Sequence, residues 1–520
     1  MLANTGANQR SILMAVSVIC SILWVSWVSH YGFDMADEGY YWYGSQRMLH
    51  GGMPMRDYLS YDIGRYAWGA LFMHLAGDDG IVGARLSAAL FQLLTISLGV
   101  WLVLRTMGDR FSLVVTAVTV VLTTVLLNLW VHPYYKSFDY GAGILVIAML
   151  ALMVTSLTVR AWFIAGLLLG VIAIIGRNHG VYGAFSAFLF VLFIGVKLRD
   201  MRLLVKLLLA FVAGVVVGFS PTFALALLVD GFAQAFITTL RDLIQSGSAN
   251  IGLPIPWPWV AVKDQYGTLY FLMKILQGFA FIALLAAPVA ALAHLARRPY
   301  SAFTCMDKFL LALACTGLGY AHYAFSRSDL THLSHSIAPA LLIILCFGIM
   351  VGRPMIASLF LLCMSVLVLA PEKPYLAHIL LQKKLSTISV NNVPLRVFSI
   401  DAMRFNAAEH AFSESPSARS SFLALPNAPG LHAMNKTDMK IWEIYALSKR
   451  PAAFEAAEIE RLQTAPPEMI LLSDDPLDFQ DELRYSKMHP LTYQWILQHY
   501  HRAAVPQKWE NMWQVYRRNP

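Results

Sequence analysis

The chain has 520 residues, of which 58% are hydrophobic and only 13% charged, and a mean hydropathy of +0.57. Soluble chains carry roughly a quarter charged residues, so this composition excludes an ordinary soluble protein and implies an integral membrane protein. The 39 Lys and Arg exceed the 31 Asp and Glu, giving a formal charge of +8, but these bases flank apolar runs, which argues against a nucleic-acid partner.

A hydrocarbon core about 30 Å thick takes ~20 apolar residues per helix. Runs of that kind predict about eleven transmembrane helices, over 11–29, 84–104, 111–131, 141–159, 161–175, 181–196, 203–229, 269–295, 309–325, 337–350 and 355–370. The expected architecture is a polytopic α-helical membrane module over 1–370, with a large outer loop at 31–83, followed by a soluble α/β domain over 371–520. The first run is long and weakly basic in front and lacks a clear small-x-small cleavage site, so it reads as a retained span rather than a signal peptide. With the N-terminus inside, the inner flanks hold twelve bases, Arg105, Arg110 and Arg160 among them, against Asp109, Asp200 and Asp307. That is the positive-inside pattern, and an odd span count then puts the C-terminal domain outside, in the periplasm of a bacterial inner membrane. The cysteines Cys20, Cys305, Cys315, Cys346 and Cys363 are odd in number and lie in or beside apolar runs without metal-ligand spacing, so no disulfide framework is implied.

Polar chemistry concentrates in the outer segments. After the first span comes Phe33-Asp34-Met35-Ala36-Asp37-Glu38-Gly39-Tyr40-Tyr41-Trp42-Tyr43, with Gly51-Gly52 further on. Asp34 is expected to cap a helix whose first turn carries Asp37 and Glu38, and the glycines to end it. Adjacent carboxylates at headgroup level repel one another unless a cation or a reacting proton occupies them, which makes this pair a site candidate rather than a solvated surface pair. The segment Arg56-Asp57-Tyr58-Leu59-Ser60-Tyr61-Asp62-Ile63-Gly64-Arg65 again mixes acids and bases among tyrosines. Further on, His132 to Tyr140 holds Lys136 and Asp139, the turn Gly176-Arg177-Asn178-His179-Gly180 joins two short apolar segments, and Arg327-Ser328-Asp329-Leu330-Thr331-His332-Leu333-Ser334-His335 packs an arginine, an acid and two histidines between spans. Short, glycine-interrupted segments are the pattern of helices broken around a cavity. The Pro/Trp run from Gly252 to Trp259, inside the outer loop Asp230 to Tyr266, reads equally as a lid or as an interfacial anchor.

Carboxylates, arginines, a lysine and histidines on one membrane face, amid aromatics, suit a substrate that is part lipid phosphate and part sugar. Arginine offers phosphate a bidentate fork, and a carboxylate takes the proton of an attacking hydroxyl. Transfer of a sugar from a polyprenyl phosphate uses both, with cations for the charge growing on the departing phosphate. A divalent metal is able to stand in for some of those cations.

The Asp37-Glu38 pair, the Gly52-x-x-x-Arg56-Asp57-Tyr58 segment, the Tyr61-Asp62 step and the Arg327-x-Asp329-x-x-His332 loop together resemble the glycosyltransferase C superfamily, and more narrowly the bacterial relatives of protein O-mannosyltransferases and of lipid A aminoarabinose transferases. Leu425-Pro426-Asn427-Ala428-Pro429-Gly430-Leu431 is also like a segment common in such proteins. The resemblance implies an inverting transferase that takes a polyprenyl-phosphate-linked sugar and acts on a glycan, lipid or protein acceptor at the periplasmic face, among membrane lipids. Asp37 falls at the position of the catalytic base, with Glu38 beside it. Asp62 falls where relatives have an acidic, in some cases metal-binding, residue, and Asp139 where they have a second-loop acid, so these two are the candidate metal ligands. Arg65 stands where relatives show Lys-Pro-Pro, and its charge and proximity put it with Lys136, Arg177, His179, Arg327 and His332 as candidates for the donor phosphate.

The last 150 residues balance 17 Lys and Arg against 16 Asp and Glu and contain strand-like runs such as Met469-Ile470-Leu471-Leu472, as an α/β domain would. The acids Asp474, Asp475, Asp478 and Asp481 lack the glycine and terminal Glu of a calcium loop and read as a loop and helix N-terminus. A lipid-linked sugar flippase is the alternative function, since it too needs a cationic cavity. It would carry polar residues at mid-membrane or on both faces, whereas these spans are apolar and their polar groups crowd one side. A scaffold that kept the fold without the activity is the third reading, against which the intact Asp37 and Glu38 speak.

Overall fold

The structure is a computed structural model and describes residues 2–246, 251–263 and 267–520. Parts of the expected Asp230 to Tyr266 loop, at 247–250 and 264–266, lie outside the described residues. In chain order the first helices are α1 (Leu2–Val28), α2 (Asp37–Leu49), α3 (Ile63–Ala76), α4 (Ile81–Met107), α5 (Leu113–Leu129), α6 (Ser137–Thr155), α7 (Val159–Ile175) and α8 (Arg177–Leu198). There follow α9 (Met201–Leu228), α10 (Phe232–Ser246), α11 (Gly267–Ala296), α12 (Cys305–Ser326), α13 (Leu330–Met350), α14 (Pro354–Leu369) and α15 (Pro374–Leu381). The remainder is β1 (Leu385–Val390), β2 (Val393–Phe398), α16 (Ser399–Glu414), β3 (Phe422–Leu425), α17 (Pro429–Asn435), α18 (Ala452–Thr464), β4 (Met469–Leu472), α19 (Tyr485–Met488), α20 (Pro490–His499), β5 (Tyr500–Arg502) and β6 (Gln514–Arg518). These residues form two compact units, one of 1–29, 88–230 and 252–381, the other of 30–87, 231–251 and 382–520.

The first unit is the membrane bundle. Among the described residues, eight helices are long and apolar enough to cross a membrane, or nine if α14 and α15, bent by 94° at their junction, make one broken span. The eleven expected spans all fall on helices, of which α5 and α7, with 17 residues each, lie at the lower end of the length that crosses a membrane. The protein is thus a polytopic α-helical membrane protein, with eight to nine long apolar helices among the described residues. α6, α12 and α13 are buried on nearly every side, whereas α8 and α9 present many large apolar side chains outward, Phe188, Val196, Leu209 and Leu227 among them, as lipid-facing helices do.

Glycine sets the closest approach in the bundle. Gly166 and Gly170 on α7 face Gly214 and Gly218 on α9, so near that a Cβ on Gly170 would stand 2.6 Å from the Phe219 nitrogen and one on Gly214 2.8 Å from the Leu167 nitrogen. Two small-x-x-x-small stripes therefore pack backbone to backbone, the arrangement that replaces hydrophobic driving force between helices in lipid.

The second unit holds both the outer-loop helices and the C-terminal α/β domain. Its main sheet has the order β3-β4-β6-β5, with β3 and β4 parallel and the other pairs antiparallel. β3 and β4 are apolar at every position and wholly buried, as strands covered on both faces are. β1 and β2 form a separate hairpin whose turn residues Asn391 and Asn392 both take positive φ, 49° and 66°, the conformation a two-residue primed turn requires. The acids after β4 lie in an irregular segment: Asp474 accepts from the Ser486 N–H at 2.8 Å and its hydroxyl at 2.9 Å, and Asp481 pairs with Arg484 and Lys487.

Candidate active site

In the second unit, α2 carries the paired carboxylates. Its start differs in detail from expectation. The N-cap residue is Ala36, and Asp34 instead closes a turn before the helix, accepting from the Ala36 N–H at 2.8 Å through its side chain and from the Gly39 N–H at 3.0 Å through its carbonyl. Asp37 and Glu38 then occupy the first turn, where the helix dipole favours negative charge. The helix stops where Gly51 adopts φ +91° and the Gly52 N–H turns back to the Arg47 carbonyl at 2.8 Å.

The two acids of the pair have different surroundings. Glu38 is buried, 1% exposed, and accepts from Arg85 Nε at 2.8 Å and Nη2 at 3.1 Å. Arg85 also donates to the Gly32 carbonyl at 2.7 Å, so the pair fixes the chain entering α2 to the start of α4. Asp37 is half-buried, and Tyr445 Oη donates to its Oδ1 at 2.9 Å. Burial, and then the negative charge of Asp37, hold the Tyr445 phenol well above its ordinary pKa, so it stays a donor.

Aromatic rings surround that carboxylate. Tyr445 lies 5.0 Å from the Tyr40 ring, which meets Tyr61 edge-on at 4.8 Å. The Arg65 guanidinium sits 4.5 Å over the Tyr61 ring, a cation–π contact, and Arg65 is 5% exposed. Asp62 precedes it as the N-cap residue of α3. The segment expected from resemblance at Leu425–Leu431 runs from β3 into α17, where the Gly430 N–H donates to the Met35 carbonyl at 2.9 Å. A Cβ on Gly430 would stand 3.1 Å from the Gly39 Cα, so α2 and α17 cross where neither has a side chain.

In the first unit a second polar cluster gathers at one end of α6, α8, α12 and α13. Asp139, in the first turn of α6 and 3% exposed, faces His179 Nε2 at 3.0 Å. The other nitrogen of His179 lies 3.3 Å from Tyr320 Oη, and the two rings stack. Tyr323 donates to Asp139 at 3.4 Å. The 327–335 loop closes on itself: Arg327 Nε donates to Asp329 Oδ2 at 2.6 Å, and Asp329 Oδ1 accepts from the His332 N–H and faces His332 Nδ1, both at 2.8 Å. Burial opposes the charge of Asp329, but the bonds from His332 and Arg327 prevail and hold its carboxyl well below the usual range. His335, 2% exposed, has no hydrogen-bond partner on either ring nitrogen among the described residues; Tyr323 lies 5.4 Å and His332 6.0 Å from it. Lys136 ends the short turn before α6, and Arg177 opens α8.

Sequence reading missed one cation. Lys373, beyond the last expected span, lies at the break between α14 and α15, is 5% exposed, and donates to the Val131 carbonyl at 3.0 Å. Beside it Glu372 faces His132 Nε2 at 3.2 Å. A lysine next to a Pro-flanked span end was the available signal. Among the described residues no three His, Cys, Asp or Glu side chains are grouped as metal ligands would be; Asp62 and Asp139, the expected metal ligands, stand as single acids, one in each unit.

No family model and no curated protein matches this chain. Solved structures do, and among those similar over nearly its whole length are ArnT from Cupriavidus metallidurans bound to undecaprenyl phosphate, at 15% identity and TM-score 0.54 over 97% of both chains, and the same protein in the apo state, at 15% identity and TM-score 0.52 over 99% of this chain and 98% of that one. The chain has the fold of ArnT. A looser likeness, TM-score 0.42 at 12% identity over 89% of this chain and 69% of the other, is to the Archaeoglobus fulgidus oligosaccharyltransferase in its apo form. The likeness to ArnT takes in both units, the membrane bundle and the unit that carries α2 and the C-terminal sheet.

Proposed function

We propose that the protein is an inverting membrane glycosyltransferase that moves a sugar from a polyprenyl-phosphate donor to a glycan, lipid or protein acceptor on the periplasmic face of a bacterial inner membrane. The observation that carries this reading is the whole-chain likeness to ArnT, a protein crystallised with undecaprenyl phosphate.

Asp37 is the base in this reading. It takes the proton of the acceptor hydroxyl as that oxygen bonds to the anomeric carbon, and the bond from that carbon to the phosphate oxygen breaks with its electron pair leaving on the polyprenyl phosphate. One displacement inverts the anomeric centre. Its half-buried carboxylate, held by Tyr445, supports the assignment, because a base must be both oriented and reachable. Glu38, enclosed with Arg85, serves as the positioning residue that sets the first turn of α2.

Arg65, Lys136, Arg177, Arg327 and His332 are assigned to the donor phosphate, whose growing charge cations stabilise more in the transition state than in the ground state. His179 is assigned with them through its ring, oriented by Asp139, and Lys373 joins the group as a buried ammonium with one backbone acceptor. The test is transfer of labelled sugar from polyprenyl-phosphate donors by the purified chain in nanodiscs: the reading expects transfer, abolished by Asp37→Asn in protein of unchanged folding, and Asp37→Asn at near-wild-type turnover overturns it.

A further inference from the structure

At the end of the membrane bundle opposite Asp139 and His332, α4, α6 and α12 leave a cleft of about 120 Å³ lined by Trp101, Arg105, Ala148, Leu152, Cys305 and Phe309. From Asp139 to Thr155, which also lines it, α6 rises about 24 Å, so the cleft and the polar cluster belong to opposite leaflets. Its walls are mostly apolar, and Trp101 and Cys305 are exposed at its edge.

Arg105 is the feature that asks for a ligand. Its guanidinium is exposed and lies 4.8 Å from the Trp101 ring. The acids flanking these helices are engaged elsewhere: Asp109 pairs with Arg10 at 3.4 Å, and Asp307 is held by Arg298 at 2.6 and 2.8 Å and by the capping box with Thr304. The nearby hydroxyls of Thr106 and Thr155 donate back into their own helices. What remains is a cation with an aromatic backing at the mouth of an apolar cleft, on the side where bases outnumber acids twelve to three.

We propose that this cleft binds an anionic phospholipid of the cytoplasmic leaflet, its phosphate on Arg105 and the start of one acyl chain against Leu152 and Phe309. A basic residue between transmembrane helices at the cytoplasmic surface is the chemistry that selects an anionic headgroup over a zwitterionic one, and Trp101 is the ring type favoured at that depth. The site is independent of the glycosyltransferase reading.

Native mass spectrometry of the full chain in mild detergent, titrated with phosphatidylglycerol or phosphatidylcholine, tests it. Wild type should retain phosphatidylglycerol about fivefold better than phosphatidylcholine, the factor expected from one arginine at the surface, and Arg105→Ala should remove the preference. In parallel, phosphatidylglycerol but not phosphatidylcholine should slow maleimide labelling of the exposed Cys305, read by peptide mapping, and the slowing should vanish in Arg105→Ala. Equal retention of both lipids, unchanged by Arg105→Ala, overturns the proposal and leaves a plain apolar cleft. Protection of Cys305 that follows protein concentration rather than lipid also overturns it, making a second copy of the chain the occupant.

Discussion

Tyr445 donates its hydroxyl to Asp37 at 2.9 Å, across 408 residues of sequence, and so ties the C-terminal domain to the first turn of α2 within one compact unit. If Asp37 is the base, as proposed, losing this bond should leave it present but less firmly aimed. Tyr445→Phe is expected to lower kcat about 10- to 150-fold, the equivalent of ~1.5–3 kcal/mol for a hydrogen bond to a charged group, with little change in KM for the donor. Asp37→Asn should lower kcat by about 10²–10⁴. Steady-state kinetics on both variants checks the pair.

The neighbouring acid should behave differently. Glu38→Gln leaves the Arg85 cation buried without its counter-charge, and breaking a buried pair costs about 3–5 kcal/mol. Thermal unfolding in detergent should show a clear fall in Tm for Glu38→Gln and for Arg85→Met, smaller for the two together, whereas Asp37→Asn should leave Tm nearly unchanged.

Where α2 crosses α17, size alone is limiting. A side chain on Gly39 would run into the Gly430 backbone, so Gly39→Val forces the helices apart at a cost of about 1–3 kcal/mol or more. Reduced Tm, and transfer lost in step with it, is the expected outcome.

Asp401 gives a pH signature outside the membrane. Burial, and then the charge of Asp34, push its carboxyl up to about 6, with Arg404 opposing. The unfolded value is about 3.9, so the folded state binds the extra proton between about pH 4 and pH 6. The stability tied to this proton is therefore complete below about pH 4 and is lost as pH rises through about 6. Asp401→Asn, neutral at every pH, should flatten that part of the profile and raise Tm relative to wild type more at pH 7.5 than at pH 5.

Much of this was legible in the sequence because it is local. The run Asp37-Glu38 and the stop at Gly51-Gly52 follow from dipole and turn chemistry, and α2 occupies the stretch they bracket. The partners were not legible, because each comes from far along the chain: Arg85 lies 47 residues from Glu38, His179 40 from Asp139. Nor does composition fix the length of the shorter apolar helices: α5 and α7, expected as spans, have 17 residues each, the lower end of the range that crosses a bilayer. Lys373 was passed over since a base beyond the last apolar run ordinarily sits in water. The α7 and α9 glycine stripes were missed for another reason, that each looks unremarkable until the two are set face to face.

The central claim is sugar transfer with Asp37 as the base, and the most direct measurement offers a panel of radiolabelled polyprenyl-phosphate sugars and membrane-extract acceptors to the purified chain in nanodiscs. The account predicts label in the acceptor fraction from at least one donor, lost on Asp37→Asn while that variant still binds the polyprenyl phosphate and keeps its Tm. Polyprenyl phosphate bound but no sugar moved from any donor, or full transfer by Asp37→Asn, would contradict it.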